Sequence, residues 1–260
     1  CSSHRCTAPA FSPDGRRLAF ERHPLDRLEA SSIEVINLGD GSRATLDGDA
    51  WHIARFPTFA HDGRLAYLNI FEQVIVVHDF NTGESQRIPN TSGEMGAWSP
   101  DGQYLMFPEI TSEPPPTPGP GTPAPALQID TFFSHLRRVS VSSGVSEDLS
   151  GNFTVEDAGP TYSPSGEWIA FGRKNLDQEQ WTPGRQLWLM RADGGEARAL
   201  TNDSLYNHSN FLWSPDGTVI VYVRFDVTDP ASTTELWSIS AAGAEAQLLA
   251  MGGYLPEWLP

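Results

Sequence analysis

The 260-residue sequence lacks the features that mark membrane-spanning, metal-binding and common catalytic chains. No run approaches about 18 consecutive apolar residues, which argues against a helix that spans a bilayer. The histidines are scattered, and neither His-Glu-x-x-His nor Cys-x-x-Cys spacing occurs, so neither zinc nor haem is indicated. A Gly-x-Ser-x-Gly elbow is also absent. We therefore predict no catalytic, cofactor-binding or metal-binding residue, and we expect that the chain is not an enzyme.

Basic residues are scarce. The chain has 17 Lys and Arg against 33 Asp and Glu, which gives a net charge of −16. Such a surface repels a phosphate backbone, so we expect no nucleic-acid partner. The partners that we expect are other proteins, in particular subunits of a membrane or envelope complex.

The only two cysteines, Cys1 and Cys6, are too few for a disulfide framework. A chain that begins with cysteine resembles a processed bacterial lipoprotein. The resemblance implies a lipid anchor on Cys1, a tether over residues 1–6, and an exported protein at the periplasmic or extracellular face of a membrane. A Cys1–Cys6 disulfide, or a start point without biological meaning, are the alternatives.

A repeat runs along most of the remaining sequence. Each unit has an aromatic residue, a Ser-Pro-Asp-Gly-like turn and then an apolar triplet such as Leu18-Ala19-Phe20. The aligned aromatic positions are Phe11, Phe59, Trp98, Tyr162 and Trp213, and Trp258 is the aromatic of a sixth unit that starts at Leu255. In such a turn, proline fixes φ at the second position and glycine supplies a positive φ, so each motif predicts a hairpin.

Each unit continues with a second apolar run, a Gly-containing turn and a short last strand. Leu187–Met190, Asp193-Gly194-Gly195 and the strand that ends near Leu200 are one example. Four antiparallel strands per repeat are the blade of a β-propeller. We predict an all-β propeller of four-stranded antiparallel blades, with five full repeats and the start of a sixth.

The segment Leu187–Thr201, taken with the aromatic-Ser-Pro-Asp-Gly motif, resembles the TolB-type propeller repeat. The resemblance covers nearly the whole chain. TolB of the bacterial envelope and the propeller domains of prolyl-oligopeptidase-like peptidases carry this repeat beside a second domain, for which residues 7–260 leave no room. The resemblance therefore implies a fold and not a reaction. Whether a terminal strand, a longer chain or a partner closes the ring stays open.

Long links between second and third strands should lie on one face of the propeller, where we expect partners to bind. Trp181 lies in one such link. A proline-rich insertion at 113–126 lies in another, and it contains Pro115 and Pro118. We predict Trp181, Pro115 and Pro118 as partner contacts.

Two functions are compatible with these features. The first is a non-catalytic interaction scaffold or accessory subunit at the bacterial cell envelope. The second is a ligand-binding or hydrolytic propeller that uses the mouth of the central channel. The second requires charged residues on the first strands. The first strands that we assign are short, as in Ala8-Pro9-Ala10 and Pro57-Thr58. Across all of the assigned first strands Glu257 is the only charged residue, and this favours the scaffold.

Overall fold

The structure is a computed structural model, and it describes residues 4–26, 30–47, 52–113, 131–177, 179–243, 245–253, 256 and 258. All twenty regular elements in these ranges are β-strands. Across the same residues, no helix has the length and apolar character needed to cross a bilayer.

The strands follow one another in five groups of four. Blade 1 contains β1 (His4–Phe11), β2 (Arg17–Pro24), β3 (Ser32–Asn37) and β4 (Arg43–Leu46). Blade 2 contains β5 (Ala54–Phe59), β6 (Leu65–Asn69), β7 (Val74–His78) and β8 (Ser85–Pro89). Blade 3 contains β9 (Ala97–Trp98), β10 (Tyr104–Glu113), β11 (Thr131–Ser140) and β12 (Ser146–Asp148). Blade 4 contains β13 (Val155–Tyr162), β14 (Trp168–Asn175), β15 (Gln186–Arg191) and β16 (Arg198–Ala199). Blade 5 contains β17 (Tyr206–Trp213), β18 (Val219–Asp226), β19 (Glu235–Ser240) and β20 (Gln247–Met251).

Every group forms one four-stranded antiparallel sheet in which neighbours along the chain are neighbours in the sheet. This confirms the predicted all-β fold of four-stranded blades and its five full repeats. The first strand begins at His4, before the boundary predicted at residue 7. Several residues of the predicted sixth unit, including 254, 255 and 257, lie outside the described residues.

Four apolar clusters join the blades, each between two successive sheets. Ala19 and Val35 of blade 1 pack with Leu65 and Tyr67 of blade 2. Comparable clusters join blades 2 and 3, blades 3 and 4, and blades 4 and 5. Within the described ranges, no corresponding cluster joins blade 5 to blade 1. Apolar residues of the second and third strands therefore supply most of the core between sheets.

The serine of the repeated turn has a structural role of its own. The Ser214 hydroxyl donates a hydrogen bond to Asp216 at 2.6 Å and accepts one from the backbone N–H of Val219 at 2.9 Å. Ser99 makes the same two contacts with Asp101 and Tyr104. Each aspartate accepts one hydrogen bond from the serine hydroxyl and another from a backbone N–H, and these two bonds lower the pKa of Asp101 and of Asp216. The buried hydroxyl thus ties the turn to the start of the second strand.

A buried histidine, His208, lies on β17 inside blade 5. Its Nδ1–H donates to the Arg185 carbonyl at 2.9 Å, while its buried Nε2 has no hydrogen-bond partner. Burial lowers the pKa of His208 to about 4, and the hydrogen bond to Arg185 offsets only part of that effect. The ring is therefore neutral in the folded protein at neutral pH.

We expect acid to destabilise the protein through His208. A histidine of the unfolded chain titrates at 6.5, so below that pH the unfolded state binds a proton that the folded state excludes. The contribution of the neutral His208 ring to the free energy of unfolding is complete above pH 6.5, and it falls as the pH drops towards about 4. Denaturant unfolding of the wild type should lose about 2 kcal/mol from this group between about pH 7.5 and about pH 5.

The matched variant is His208→Asn, whose amide keeps the donor to the Arg185 carbonyl but does not titrate. Its free energy of unfolding should fall less over the same pH interval than that of the wild type. An identical pH profile in both proteins would contradict this assignment.

Candidate active site

The first strands of the blades form one edge of the assembly, which we call the inner edge, and four of them share a backbone irregularity. The pairing with the second strand shifts register between Thr7 and Ala10 in blade 1, and at the matching place in blades 2, 4 and 5. Each bulge holds a residue with positive φ: Ala8, Phe56, Gly159 and Asn210. A bulge redirects side chains and occurs often beside active sites.

The expectation that the first strands carry only small or apolar residues is wrong. Four of the five strands are six to eight residues long, and they begin upstream of the segments that the sequence assigned. Their upstream halves contain Arg5, Arg55, Asp157 and His208. The repeat motif coincides with only the last residues of each first strand. It therefore gave no indication of the charged residues in the upstream halves of these strands.

Blade 1 carries a buried Glu–His pair beside its bulge. Glu21 and His23 lie two residues apart on β2 and are 4% and 8% exposed. His23 Nε2 lies 2.8 Å from Glu21 Oε2 and 3.0 Å from Thr7 Oγ1. The Thr7 hydroxyl donates to the same Glu21 oxygen at 3.0 Å. The other Glu21 oxygen accepts the backbone N–H of Phe56 at 2.8 Å, which links the carboxylate to the bulge of blade 2.

Glu21 departs from the repeat. It pairs with Thr7, the residue that precedes the bulge. At the same place in blades 2, 4 and 5 the second strand has Leu68, Gly172 and Val223. The other blades have apolar or small residues at this position, and burying a carboxylate costs free energy. The propeller fold itself therefore does not require Glu21. The sequence carried this signal, because Glu21 directly follows the triplet Leu18-Ala19-Phe20.

A cavity of about 380 Å³ opens onto this pair between blades 1 and 2. We call it the Glu21 pocket, and its lining is Arg5, Thr7, Ala8, Glu21, His23, Arg55 and Phe56. These residues come from the start of β1, the end of β2 and the start of β5. The pocket therefore lies on the face that carries the links between second and third strands.

A second cavity, of about 500 Å³, lies between the outer parts of blades 2 and 3. Its charged lining residues are Arg87, Glu109 and Arg137, none of which is buried, and it contains no histidine. Of these two cavities, the Glu21 pocket is the one that combines buried ionisable groups with a histidine, and we take it as the candidate site.

Blade 4 shows what a structural ion pair looks like in the same fold. Asp157 is fully buried, and Arg173 donates to both of its oxygens at 2.7 Å. Ser150 Oγ donates to Asp157 at 2.5 Å. The Arg173 guanidinium also lies over the rings of Phe171 and Trp188. Because both Asp157 carboxylate oxygens accept hydrogen bonds from protein partners, the cluster holds the blade together.

The site residues predicted from sequence lie elsewhere. Trp181 is 55% exposed in the link between β14 and β15, with the Lys174 ammonium 5.9 Å from its ring centre. Its role as a partner contact stays a prediction. Pro115, Pro118 and Cys1 lie outside the described residues. Cys6 is disulfide-bonded.

No family model matches the chain. An uncharacterized protein of Agrobacterium fabrum, Atu1656, is 26% identical over 269 residues, which cover 97% of this chain and 80% of that protein. An oligogalacturonate lyase solved in complex with manganese has a TM-score of 0.63 at 17% identity, over 93% of this chain and 64% of that one. A puromycin-hydrolyzing peptidase of Mycobacterium tuberculosis has a TM-score of 0.64 at 15% identity, over 96% and 39% of the two chains. This chain spans less than two thirds of either solved chain, and the likeness shows the propeller fold.

These findings correct the functional expectation. We predicted a non-catalytic scaffold and no enzyme, but the solved structures that share this fold include a lyase and a peptidase. The inner edge also carries charged residues, Arg5, Arg55 and Asp157, which the scaffold hypothesis took to be missing. The alternative, a ligand-binding or hydrolytic propeller that uses the channel mouth, is better supported. The manganese is a property of that lyase complex. Among the residues described here, no group of three or more His, Cys, Asp or Glu is arranged to hold a metal ion.

The Asp157–Arg173 pair should be required for stability. In Asp157→Asn the buried guanidinium loses its counter-ion, which should cost about 3–5 kcal/mol in the free energy of unfolding. Urea unfolding measures the loss. Asp26→Asn, at an exposed carboxylate of the same chain, should change stability by no more than about 0.5 kcal/mol. If Asp157→Asn lost no more free energy of unfolding than Asp26→Asn, the ion pair would be dispensable for stability.

Proposed function

We propose that this protein is a catalytic propeller that takes a small substrate into the Glu21 pocket, where His23 transfers a proton. The observation that carries the proposal is the buried Glu21–His23 pair, which faces a cavity at a place where other blades are apolar or small. Hydrolysis and elimination both require a base that accepts a proton, so the proposal suits either class of reaction.

The hydrogen bonds define what each group does. Glu21 accepts the Nε2–H of His23, which fixes the tautomer and leaves Nδ1 with a lone pair that can accept a proton. The Glu21 carboxylate then stabilises the imidazolium that forms. Thr7 and the backbone N–H of Phe56 hold the carboxylate in place, so neither residue needs to move during proton transfer.

Features outside the pocket support an exported protein. The five turns and the Leu187–Thr201 segment resemble the TolB-type repeat, and that repeat family includes an envelope protein. The disulfide of Cys6 is typical of an oxidising compartment. A protein contact through Trp181 extends the same proposal to the surface of a membrane. A lipid anchor on Cys1 is the alternative to a Cys1–Cys6 disulfide, because one sulfur cannot carry both a thioether lipid and a disulfide.

The test is a substrate screen with matched variants. The panel contains oligogalacturonides, peptidyl amides and aminoacyl esters, the chemical classes that a lyase and peptidases of this fold suggest. His23→Gln keeps a donor to Glu21 and removes the base, and Glu21→Gln removes the carboxylate. Each should lower kcat about 100-fold or more.

His61→Gln is the control. His61 is exposed in the turn between β5 and β6, on the opposite face of the propeller, and its replacement should leave kcat unchanged. Thermal unfolding of each variant checks that its fold is intact. Turnover that survives in a folded His23→Gln protein, or a wild type that processes no member of the panel, would refute the proposal.

A further inference from the structure

Two arginines of the Glu21 pocket lack a counter-ion. Arg5 is exposed on β1 and Arg55 is half-buried on β5, and both line the cavity. Neither forms an ion pair with any described residue, whereas eight other arginines do. Arg55 Nε is buried without a hydrogen-bond partner. A buried donor without an acceptor is destabilising, and an anionic group in the cavity would satisfy it.

Comparison between blades shows that Arg55 is not required by the fold. Arg55 is the residue before the bulge of blade 2, where blades 1, 4 and 5 have Thr7, Ala158 and Ser209. All three of these side chains are small. In blade 2 a long cationic side chain stands at this position, and it lines the pocket together with Phe56.

The next residue, Phe56, departs from the repeat in the same way. Its φ of 54° lies in the left-handed region, where blades 1, 4 and 5 have Ala8, Gly159 and Asn210. A bulky residue is strained at such a φ, and such strain occurs often at ligand sites. The Phe56 ring is 47% exposed beside the cavity, so it offers an apolar surface next to the two guanidinium groups.

The charges of the residues that line the Glu21 pocket favour a monovalent anion. Without counting His23, the side chains of Arg5, Arg55 and Glu21 give the lining a net charge of one positive unit within a chain of net charge −16. A monoanion neutralises that unit, whereas a phosphate dianion would place its second charge near Glu21. A guanidinium also matches a carboxylate through two parallel hydrogen bonds.

We infer that Arg5 and Arg55 bind the carboxylate of a small ligand whose apolar part lies on Phe56. The inference names the substrate class of the proposed site and so rests on the proposed function for its biological meaning. The binding itself does not require turnover.

The experiment is an NMR titration of the full chain with benzoate. Benzamide is the neutral ligand of matched shape, and phenyl phosphate is the dianion. Benzoate should bind about tenfold or more tightly than either ligand. Arg55→Met and Arg5→Met should each weaken benzoate binding about tenfold or more, and Arg55→Lys should restore part of the loss because it restores the charge.

Arg43→Met is the matched control, because Arg43 is an exposed arginine on β4 of blade 1. It should bind benzoate like the wild type. Arg5 is exposed, so Arg5→Met keeps the test valid if Arg55→Met fails to fold. Absence of benzoate binding, equal affinity for benzoate and benzamide, tighter binding of phenyl phosphate, or unchanged binding in both methionine variants would overturn the inference.

The two proposals fail separately. If benzoate binding depends on the arginines while no panel substrate is turned over, the carboxylate site stands and the catalytic proposal falls. If substrates are turned over through His23 while the arginine variants bind benzoate normally, the carboxylate site falls and the catalytic proposal stands.

Discussion

The packing of one sheet face against the next is the constraint on which the structure depends. Each of the four clusters joins residues from the second and third strands of one blade to residues of its successor, as Leu105 and Phe107 pack with Ile75 in blades 2 and 3. Because the sheets stack through these faces, their first strands come together along one edge. That edge brings residues 5 to 8 close to residues 55 and 56, although about fifty positions separate them in sequence.

Functional residues in a repeat protein are visible as departures from the repeat. The repeated apolar positions of blade 1, such as Ala19 and Phe20, are buried like their counterparts Ala66 and Tyr67 in blade 2, and such positions make the core. Glu21 and Arg55 do not match, and both face the same cavity. Asp157 shows that a buried charge alone is not enough, because the Arg173 guanidinium already satisfies it. The two sites differ because Arg55 Nε in the Glu21 pocket is a buried donor without a hydrogen-bond partner, whereas the Asp157 carboxylate is paired with Arg173.

The fold could be predicted from the sequence because its signals are local. Proline, aspartate and glycine act within one turn, and apolar alternation acts within one strand, so five copies in phase define five blades. The candidate site could not be predicted in the same way. Its residues come from three strands of two blades, and the strands β1 and β5 extend upstream of any motif. A comparison of the residue after each apolar triplet would have singled out Glu21, since its counterparts are Leu68, Pro108, Gly172 and Val223.

By itself, the sequence determined the all-β class, the four-stranded unit and the number of full repeats, because hairpin turns and strand alternation depend on neighbours along the chain. Only the tertiary structure decided that Glu21 contacts His23 and the backbone of blade 2, and that Arg5 and Arg55 line one cavity without an ion pair to any described residue. The physical reason is distance. Hydrogen bonds and charge interactions act over a few ångströms in space, and stacking of the blades is what brings these residues within that range.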